Sequence, residues 1–229
     1  MVLKDRLDHL RGIVKTEKKV KVTELSQRFD VTEETIRRDL ERLELEGLIT
    51  RTHGGAVLKV ENMFDRLGYT HRSRTNVEEK KKIAQIVASI IPMQATLFAD
   101  ASSTVMEALT LMADRDDITV LTNSIPVLSS LNQSGLNIMS TGGANNRVSC
   151  SLQGIIARTT IMNYHVDFVL TSCKGLKLDE GAYDSREGET EIKQLMISRG
   201  QKTIMMADHT KFDRTSFVKY CSFQQIDIL

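Results

Sequence analysis

The sequence predicts an α/β protein in two parts, with three short helices and a β-hairpin first and a mostly parallel α/β domain after them. Two observations lead to this prediction. Apolar residues recur with helical spacing three times before residue 45, and a pair of glycines then interrupts an alternating segment. Beyond residue 76, short apolar runs alternate with helical segments, which favours a parallel sheet covered on both faces. A chain of 229 residues with 41% hydrophobic residues and two prolines is long enough for two globular domains.

Three segments are predicted from these patterns. We place the first domain at residues 1–58, a connecting segment at 59–76 and the second domain at 77–229. The connector is rich in charged residues and has little apolar periodicity, so we expect it to be only partly ordered.

The three N-terminal helices are predicted from apolar positions three and four residues apart. These positions are Leu3, Leu7, Leu10 and Val14, then Val22, Leu25 and Phe29, then Ile36, Leu40 and Leu43. Thr23 is predicted to cap the second helix and Thr32 the third, with a turn at Asp30 and Val31. Two helices joined by so short a turn are typical of a helix-turn-helix unit.

The outward face of the third helix carries side chains that suit DNA. Helix-turn-helix proteins place the first turns of their second helix in the major groove, where arginine can pair with guanine and threonine with phosphate or a base edge. Glu41, Glu44 and Glu46 follow toward the C-terminal end, so we expect a cationic tip despite a net charge of +1 for the chain. The predicted contacts on this helix are Thr32, Thr35, Arg37, Arg38 and Arg42.

A hairpin is predicted directly after this helix. Gly47 is expected to end the helix, residues 48–52 alternate like a strand, and His53-Gly54-Gly55 forms the turn before the return strand at 56–58. Arg51 and His53 near its tip are predicted to approach phosphate or the minor groove. Each signal is weak alone, but helix-turn-helix spacing, arginine pair and hairpin together predict a winged helix-turn-helix that binds DNA.

Two strings in this region resemble the DeoR-type bacterial transcriptional regulators. They are VTEETIRRDL at residues 31–40 and GLITRTHGGA at residues 47–56. The resemblance implies a winged helix-turn-helix with the DNA contacts given above. It continues past the connector and covers nearly the whole chain.

The second domain is predicted to alternate strands and helices. A helix at 77–91 ends at Pro92. Strands are predicted at 96–99, 118–121, 136–139, 166–170 and 203–207, and helices at 104–113, 124–133, 151–163 and 187–199. In such a sheet the carboxyl ends of the strands line the ligand crevice.

The residues after these strands suit a phosphorylated, polyhydroxylated ligand. Hydroxyls at a helix start favour an anion, and lysines supply positive charge. A glycine pair allows the backbone to approach a ligand closely. Asp100 and Asn123 can form hydrogen bonds with sugar hydroxyls. Each residue also has a structural interpretation, since a serine at a helix start is usually a cap and a glycine pair a turn. The predicted effector residues are Asp100, Ser102, Ser103, Thr104, Asn123, Gly142, Gly143, Lys174 and Lys211.

The family resemblance extends to this half, which is similar to the sugar-phosphate-sensing domain of DeoR-type regulators. It implies a fold similar to that of ribose-5-phosphate isomerases. The family commonly has glycine where this chain has Ser102 and Asp213. Family members usually run further than Leu229, so the resemblance implies that a final element is missing here.

The leading hypothesis is therefore a regulator, in the simplest case a repressor of a carbohydrate operon, whose affinity for double-stranded operator DNA is set by a phosphosugar. Symmetric operators imply a homo-oligomer, a dimer or tetramer. One alternative is a sugar-phosphate isomerase with a DNA-binding extension, which lacks a recognisable catalytic motif and is not favoured. The other is a regulator whose sensor binds a protein partner.

Several kinds of site are not expected. The His165-Val-Asp167 triplet has no third ligand or nucleophile nearby, so we assign it a structural role and predict no metal and no cofactor. Three distant cysteines fit a reducing cytosol, and the longest charge-free run is too short and polar to cross a membrane. We therefore expect a cytoplasmic protein with no membrane contact.

Overall fold

The computed structural model of the protein describes residues 3–45, 48–58 and 68–229. The chain divides into two compact units, Met1–Arg66 and Leu67–Leu229. The predicted helix end at Gly47 and the first half of the predicted connector, residues 59–67, lie outside the described residues.

The N-terminal unit contains the predicted three helices and hairpin. The helices are α1 (Leu3–Glu17), α2 (Val22–Phe29) and α3 (Glu33–Leu45), and the strands are β1 (Lys19–Lys21), β2 (Ile49–Thr52) and β3 (Gly55–Leu58). The strands form an antiparallel sheet in the order β1-β3-β2, so the hairpin gains a third strand that sequence periodicity did not predict. The helical faces meet in one core in which Leu10, Val14, Ile36 and Leu43 are fully buried.

Two local predictions in this unit are corrected. Thr23 does not cap α2, because the helix begins one residue earlier, at Val22, and Lys21 occupies the cap position without a side-chain bond. The hairpin turn consists of His53 and Gly54, while Gly55 already belongs to β3. Gly55 is required for packing, since a Cβ there would lie 1.9 Å from the carbonyl oxygen of Val20 in β1.

The second unit is built on a five-stranded parallel sheet in the order β12-β9-β4-β5-β6. These strands are β4 (Thr96–Ala99), β5 (Thr119–Thr122), β6 (Asn137–Ser140), β9 (Val166–Thr171) and β12 (Gly200–Met205). The helices are α4 (Tyr69–Arg74), α5 (Val77–Ile90), α6 (Ser103–Leu111), α7 (Ile125–Ser130), α8 (Ile155–Met162) and α9 (Glu187–Ser198). The fold class predicted from the alternation of strands and helices is confirmed.

Both faces of the parallel sheet are covered. Leu97 of β4 packs into one core with residues of α5, α6 and α7, and Phe98 packs into a second core with residues of α8 and α9. Successive residues of a strand point to opposite faces, so a strand buried on both sides is continuously apolar. Asp167 serves a structural purpose, as predicted, because its carboxylate accepts hydrogen bonds from Thr96 N and Oγ1 and joins β9 to β4.

The sequence prediction missed the shorter antiparallel strands. β10 (Gly175–Lys177), β11 (Gly181–Asp184) and β13 (Val218–Cys221) form one sheet, and β7 (Ala144–Asn146) pairs with β8 (Ser151–Gln153). The helix predicted at 151–163 is therefore wrong at its start, where β8 comes first and Gly154, with φ of +88°, leads into α8. Strands of three or four residues are too short to establish a periodicity of two.

Candidate functional site

The third helix is held in place by a buried ion pair with the first. Nε of Arg6 in α1 lies 2.6 Å from Oδ2 of Asp39 in α3, and Nη2 lies 3.3 Å from Oδ1. The side chains are 11% and 2% exposed. A two-point contact between a planar guanidinium and a carboxylate sets orientation as well as distance. The pair therefore determines how α3 presents its outer face.

The outer face of α3 carries the predicted DNA contacts. Thr32 caps the helix as predicted, because its Oγ1 accepts a hydrogen bond from the backbone N–H of Thr35 at 3.3 Å. The Thr35 hydroxyl lies 2.9 Å from that of Thr32, so the two hydroxyls form a pair at the helix start. Arg37, Arg38 and Arg42 are exposed.

The tip of α3 is less cationic than the sequence prediction assumed. Nη2 of Arg37 lies 2.6 Å from Oε2 of Glu33, and Nε of Arg38 lies 3.6 Å from Oε1 of Glu34. In both pairs the residues lie four positions apart on an exposed helix face, where ion pairs are weak and salt-sensitive. Without DNA, the two arginines are thus paired with glutamates of the first helical turn.

A concave surface brings part of α3 together with the hairpin. Arg37 lines it from α3, and Arg51 and His53 line it from the hairpin. The backbone N–H of Arg51 donates to Glu44 Oε1 at 2.9 Å, which ties β2 to α3 and leaves the arginine side chain exposed. Three of the predicted contacts therefore share one surface, whereas Thr32, Thr35, Arg38 and Arg42 do not line it.

In the second unit, the parallel register brings several predicted effector residues to one sheet edge. Ala99 of β4 is paired with Thr122 of β5 and with Leu170 of β9. Asp100, Asn123 and Thr171 therefore follow at the carboxyl ends of three neighbouring strands, which lie about 4.8 Å apart. This is the edge at which an open α/β sheet binds its ligands.

Both carboxylate oxygens of Asp100 accept hydrogen bonds from within the protein. Its Oδ1 accepts from the Ser102 N–H at 2.9 Å, and its Oδ2 accepts from Thr171 Oγ1 at 2.9 Å and from the Ser172 N–H at 3.0 Å. Lys193 Nζ lies 3.3 Å from the same Oδ2. Asp100 was predicted to bond sugar hydroxyls, but its observed contacts join the ends of β4 and β9.

Lys193 forms the centre of a buried charge network. Its Nζ donates to Asp184 Oδ2 at 2.5 Å and to the Ser172 carbonyl at 2.6 Å, and it lies over the Tyr220 ring. Burial alone would lower the pKa of Lys193, but the carboxylates of Asp184 and Asp100 outweigh it and raise the pKa well above 10.5. Burial likewise opposes ionisation of Asp184, yet Lys193 lowers its pKa below the usual value. Lys193 and Asp184 are therefore both charged at neutral pH.

The start of α6 offers two hydroxyls to the crevice. Ser102 is the cap, since its Oγ accepts from the Val105 N–H at 3.2 Å. Ser103 and Thr104 are nearly buried, and in the part of the chain that the structure describes neither hydroxyl makes a hydrogen bond. A helix start with free hydroxyls suits an anion.

The glycine pair after β6 packs against the chain itself. Gly142 and Gly143 have φ of +64° and +114°, and a Cβ on Gly143 would lie 2.4 Å from the Gln153 carbonyl oxygen. The close backbone approach predicted for a ligand is thus made by β8. Asp213 adopts φ of +54°, a conformation that aspartate tolerates better than most residues.

The two predicted lysines lie after β9 and β12. The backbone N–H of Lys174 donates to the Tyr183 carbonyl at 2.8 Å, and its side chain is half-buried. Burial lowers the pKa of Lys80 in α5, and the charge of Lys211 lowers it further, so these two cations lie near each other. Lys80 donates to the carbonyls of Arg72 and Thr75, while Lys211 makes no side-chain hydrogen bond among the described residues.

Asn123 and Glu189 are buried at the same end of the unit. Asn123 Nδ2 donates to the Leu152 carbonyl at 3.2 Å, and its Oδ1 has no partner among the described residues. Glu189 of α9 accepts from Ser151 Oγ at 2.5 Å and from Gln153 Nε2. Both residues therefore approach β8.

Sequence reasoning missed the charged residues that organise these sites. Arg6 and Asp39 stand next to the apolar positions of α1 and α3, and Glu189 and Lys193 lie four apart on α9, beside the buried Ile192. Charged residues within an apolar helical stripe are the signal that could have identified them. Their partners come from distant parts of the chain, which a helical pattern does not identify.

Comparison with known proteins assigns each part of the chain to a known type of domain. Residues 6–62 match the model of the DeoR-like helix-turn-helix domain, and residues 75–229 match that of the DeoR C terminal sensor domain. The HTH-type transcriptional regulator YulB of Bacillus subtilis is 36% identical over 230 residues, which cover 100% of this chain and 88% of that protein. The HTH-type transcriptional repressor GlcR of the same organism is 32% identical over 230 residues, with the same coverage.

Among solved structures, the chain is similar to the ribose 5-phosphate isomerase from Plasmodium falciparum. The identity is 16%, the TM-score is 0.44, and the match covers 60% of this chain and 53% of that one. Among the described residues, no helix combines the length and apolarity needed to cross a membrane.

Proposed function

Since this chain belongs to the DeoR family of DNA-binding transcriptional regulators, we propose that it represses an operon of carbohydrate metabolism under the control of a phosphorylated sugar. One observation carries the proposal: a single chain combines an exposed recognition helix, oriented by Arg6 and Asp39, with a sheet edge where the hydroxyls of Ser103 and Thr104 form no hydrogen bond to the described residues. The presence of the repressor GlcR among the relatives supports repression as the mode of regulation.

On DNA, α3 enters the major groove of the operator and the hairpin approaches the neighbouring backbone. Arg37 and Arg38 exchange their glutamate partners for guanine or phosphate, which costs little because both ion pairs are exposed. Arg51 and His53 contact phosphate or the minor groove from the hairpin. Thr32, Thr35 and Arg42 make the remaining contacts along the outer side of α3.

In the sensor domain, the phosphate of the effector lies at the start of α6. Ser103, Thr104 and the free N–H groups of the first helical turn receive it, and Lys211 balances its charge. Ser102 acts as the cap of that helix, Asp100 holds the neighbouring strand ends, and Gly142 and Gly143 shape the adjacent loop. Lys174 borders the crevice from the end of β9.

Binding of the sugar can change DNA affinity only if the effector prefers one arrangement of the protein over another. We propose that this arrangement is that of a homo-oligomer, because palindromic operators present two half-sites to a symmetric protein. A regulator of this kind acts in the cytoplasm. The sensor domain catalyses no reaction in this proposal, and the carboxylates of Asp100 and Asp184, both bonded to Lys193, stabilise the strand ends.

The test is a DNA-binding assay with a panel of effectors. Duplexes are selected from a random pool, and the affinity of the selected site is measured with and without pentose and hexose phosphates. A phosphosugar is expected to change the affinity by about fivefold or more, the usual range of allosteric coupling, while the unphosphorylated sugar has no effect. Failure to enrich any sequence would contradict the DNA proposal, and an enriched site insensitive to every phosphosugar would contradict sugar control. Turnover of ribose 5-phosphate would show that the sensor is an enzyme.

A further inference from the structure

Two side-chain acceptors near the strand-end edge have no hydrogen-bond donor among the described residues, and one of them, Oδ1 of Asn123, is fully buried. Oδ1 of Asn123 has no partner among the described residues, although the residue is only 1% exposed. Its orientation is set by the other end of the amide, because Nδ2 must face the Leu152 carbonyl, 3.2 Å away. The carbonyl oxygen of the side chain therefore stays unpaired, which in a buried site is unfavourable.

The second group is Oε2 of Glu189, a residue that is 7% exposed and whose Oε2 retains contact with solvent. Both of its hydrogen bonds, from Ser151 Oγ and Gln153 Nε2, end on Oε1. Within residues 68–229, Oε2 receives no hydrogen bond, and no lysine or arginine forms an ion pair with Glu189. Buried carboxylates are normally paired, as Asp100 and Asp184 are with Lys193.

The donors around Glu189 are already used. The hydroxyl of Ser151 donates its single proton to Oε1, so the Ser149 hydroxyl, 2.8 Å from Ser151 Oγ, must donate to Ser151. Gln153 also directs its amide toward Ser151 and Glu189. No donor of this cluster is left for Oε2 of Glu189.

Both acceptors lie against β8. Asn123 contacts the Leu152 carbonyl, and Glu189 holds the side chains of Ser151 and Gln153, the residues on either side of Leu152. Two unpaired acceptors would repel a phosphate and attract O–H groups. The start of α6 has the opposite preference and attracts an anion such as phosphate. It offers the hydroxyls of Ser103 and Thr104 and the N–H groups of its first turn.

We propose that Asn123 and Glu189 form the hydroxyl-recognising end of the effector site, and that they select a phosphosugar by the hydroxyl groups remote from its phosphate. The inference rests on the proposed sugar-phosphate control and adds Glu189 as a specificity-determining residue. Each sugar hydroxyl donates one hydrogen bond, to Oδ1 of Asn123 or to Oε2 of Glu189. A ligand that lacks such a hydroxyl but covers the site leaves one of these acceptors unpaired and cut off from water, and a site of this kind discriminates strongly against it.

The experiment compares matched sugars by calorimetry on the full chain. The pairs are ribose 5-phosphate with 2-deoxyribose 5-phosphate, and glucose 6-phosphate with 2-deoxyglucose 6-phosphate and 1,5-anhydroglucitol 6-phosphate. Inorganic phosphate reports on the anion end alone. The unaltered protein is expected to bind at least one parent sugar about tenfold or more tightly than its deoxygenated analogue.

The matched variant is Glu189→Gln, which keeps the size of the side chain and an oxygen for Ser151 and Gln153 but places an N–H₂ group where Oε2 was. It is expected to remove the discrimination between the parent and the deoxygenated sugar while binding inorganic phosphate as before. Glu191→Gln is the control, since Glu191 lies on the same helix in a half-exposed pair with Arg158. That control is expected to keep the discrimination.

The outcomes separate the two proposals. If phosphosugars bind but the unaltered protein does not distinguish parent from deoxygenated sugar, or Glu189→Gln retains the distinction, the assignment of Asn123 and Glu189 is wrong and sugar control stands. If neither inorganic phosphate nor any phosphosugar binds, sugar control fails and this assignment fails with it. The comparison within the unaltered protein remains decisive even if the variant does not fold.

Discussion

Arg6 and Asp39 connect the first and third helices through two hydrogen bonds, with Nε 2.6 Å from Oδ2 and Nη2 3.3 Å from Oδ1. Asp39 belongs to the TIRRDL string that carries the family resemblance, and it follows directly after Arg37 and Arg38. The buried carboxylate and the exposed arginines therefore have different purposes within one short motif. Asp39 holds the helix, and its neighbours face outward.

Replacing Arg6 by Ala is expected to destabilise the N-terminal unit by about 3 kcal/mol, because it leaves the buried carboxylate of Asp39 without its cation. Operator affinity should fall as well, since α3 loses the contact that orients it. The measurement is urea denaturation together with DNA binding. Arg28→Ala, which breaks the exposed pair with Glu17, is the control and should change stability by less than about 1 kcal/mol. Equal effects of the two variants would show that the Arg6 contact has no special importance.

Arg38→Ala is expected to reduce discrimination between operator and random DNA by about 1–3 kcal/mol, the usual value of a base contact. Glu34→Gln should act in the opposite direction, since it removes the carboxylate that Arg38 contacts in the free protein. Both are measured by fluorescence anisotropy over a series of salt concentrations. If Arg38→Ala binds the two DNAs as the unaltered protein does, α3 has been placed wrongly on DNA.

Lys193→Met is expected to destabilise the sensor domain by about 3–5 kcal/mol at pH 7, because Asp100 and Asp184 remain buried without their cation. Restoring charge balance by adding Asp184→Asn should recover part of the loss. Denaturant unfolding of the single and double variants measures this. A double variant no more stable than the single one would contradict the charge-network explanation.

The same network predicts how stability depends on pH. The pKa of Asp184 is lowered, so its contribution is present above the unfolded value of about 4 and is lost as the pH falls further. The pKa of Lys193 is raised, so its contribution is present below about 10.5 and is lost only as the pH rises above that value. The unaltered protein should lose stability below about pH 4, whereas Lys193→Met should gain stability between pH 7 and 5 as the buried, unpaired carboxylate of Asp184 takes up a proton. Unfolding curves across that range distinguish the two, and parallel profiles would contradict the prediction.

Lys211→Ala is expected to weaken binding of inorganic phosphate and of phosphosugars by about tenfold or more, the contribution of one hydrogen bond to a charged group. Its side chain makes no hydrogen bond among the described residues, so the variant should fold normally. Lys202→Ala is the matched control, because Lys202 is exposed near the amino-terminal end of β12, the strand that precedes Lys211. An unchanged affinity in Lys211→Ala would remove Lys211 from the effector site.

Much of the fold could be predicted because the signals were local. The apolar spacing of α1 and α3 requires one buried face on each helix, and the run at β4 was predicted with its exact bounds, Thr96–Ala99. The capping of α3 by Thr32 was predicted for the same reason, since donor and acceptor lie three residues apart. The short strands β7, β8, β10, β11 and β13 were missed because three or four residues are too few to establish a periodicity of two, and β13 in addition pairs with the distant β11.

The sequence predicted where the candidate site residues lie better than it predicted what each side chain does there. The parallel order places Asp100, Asn123 and Thr171 at one edge, as the alternation of elements required. Which of them faces a ligand could not be predicted, because hydrogen bonding within the protein decides it. Asp100 is saturated by Ser102, Thr171 and Ser172, whereas Asn123 retains a free acceptor.

By itself, the sequence determined the two-part architecture, the helix-turn-helix with its hairpin, and the family, because periodicity, capping and contiguous motifs are properties of neighbouring residues. Only the tertiary structure decided the partners of its buried charges. Arg6 meets Asp39 across 33 residues, and Lys193 lies between Asp100, which follows β4, and Asp184 of β11. A buried charge is stable only where opposite charge or hydrogen-bond donors surround it, and that surrounding exists only once distant segments have packed together.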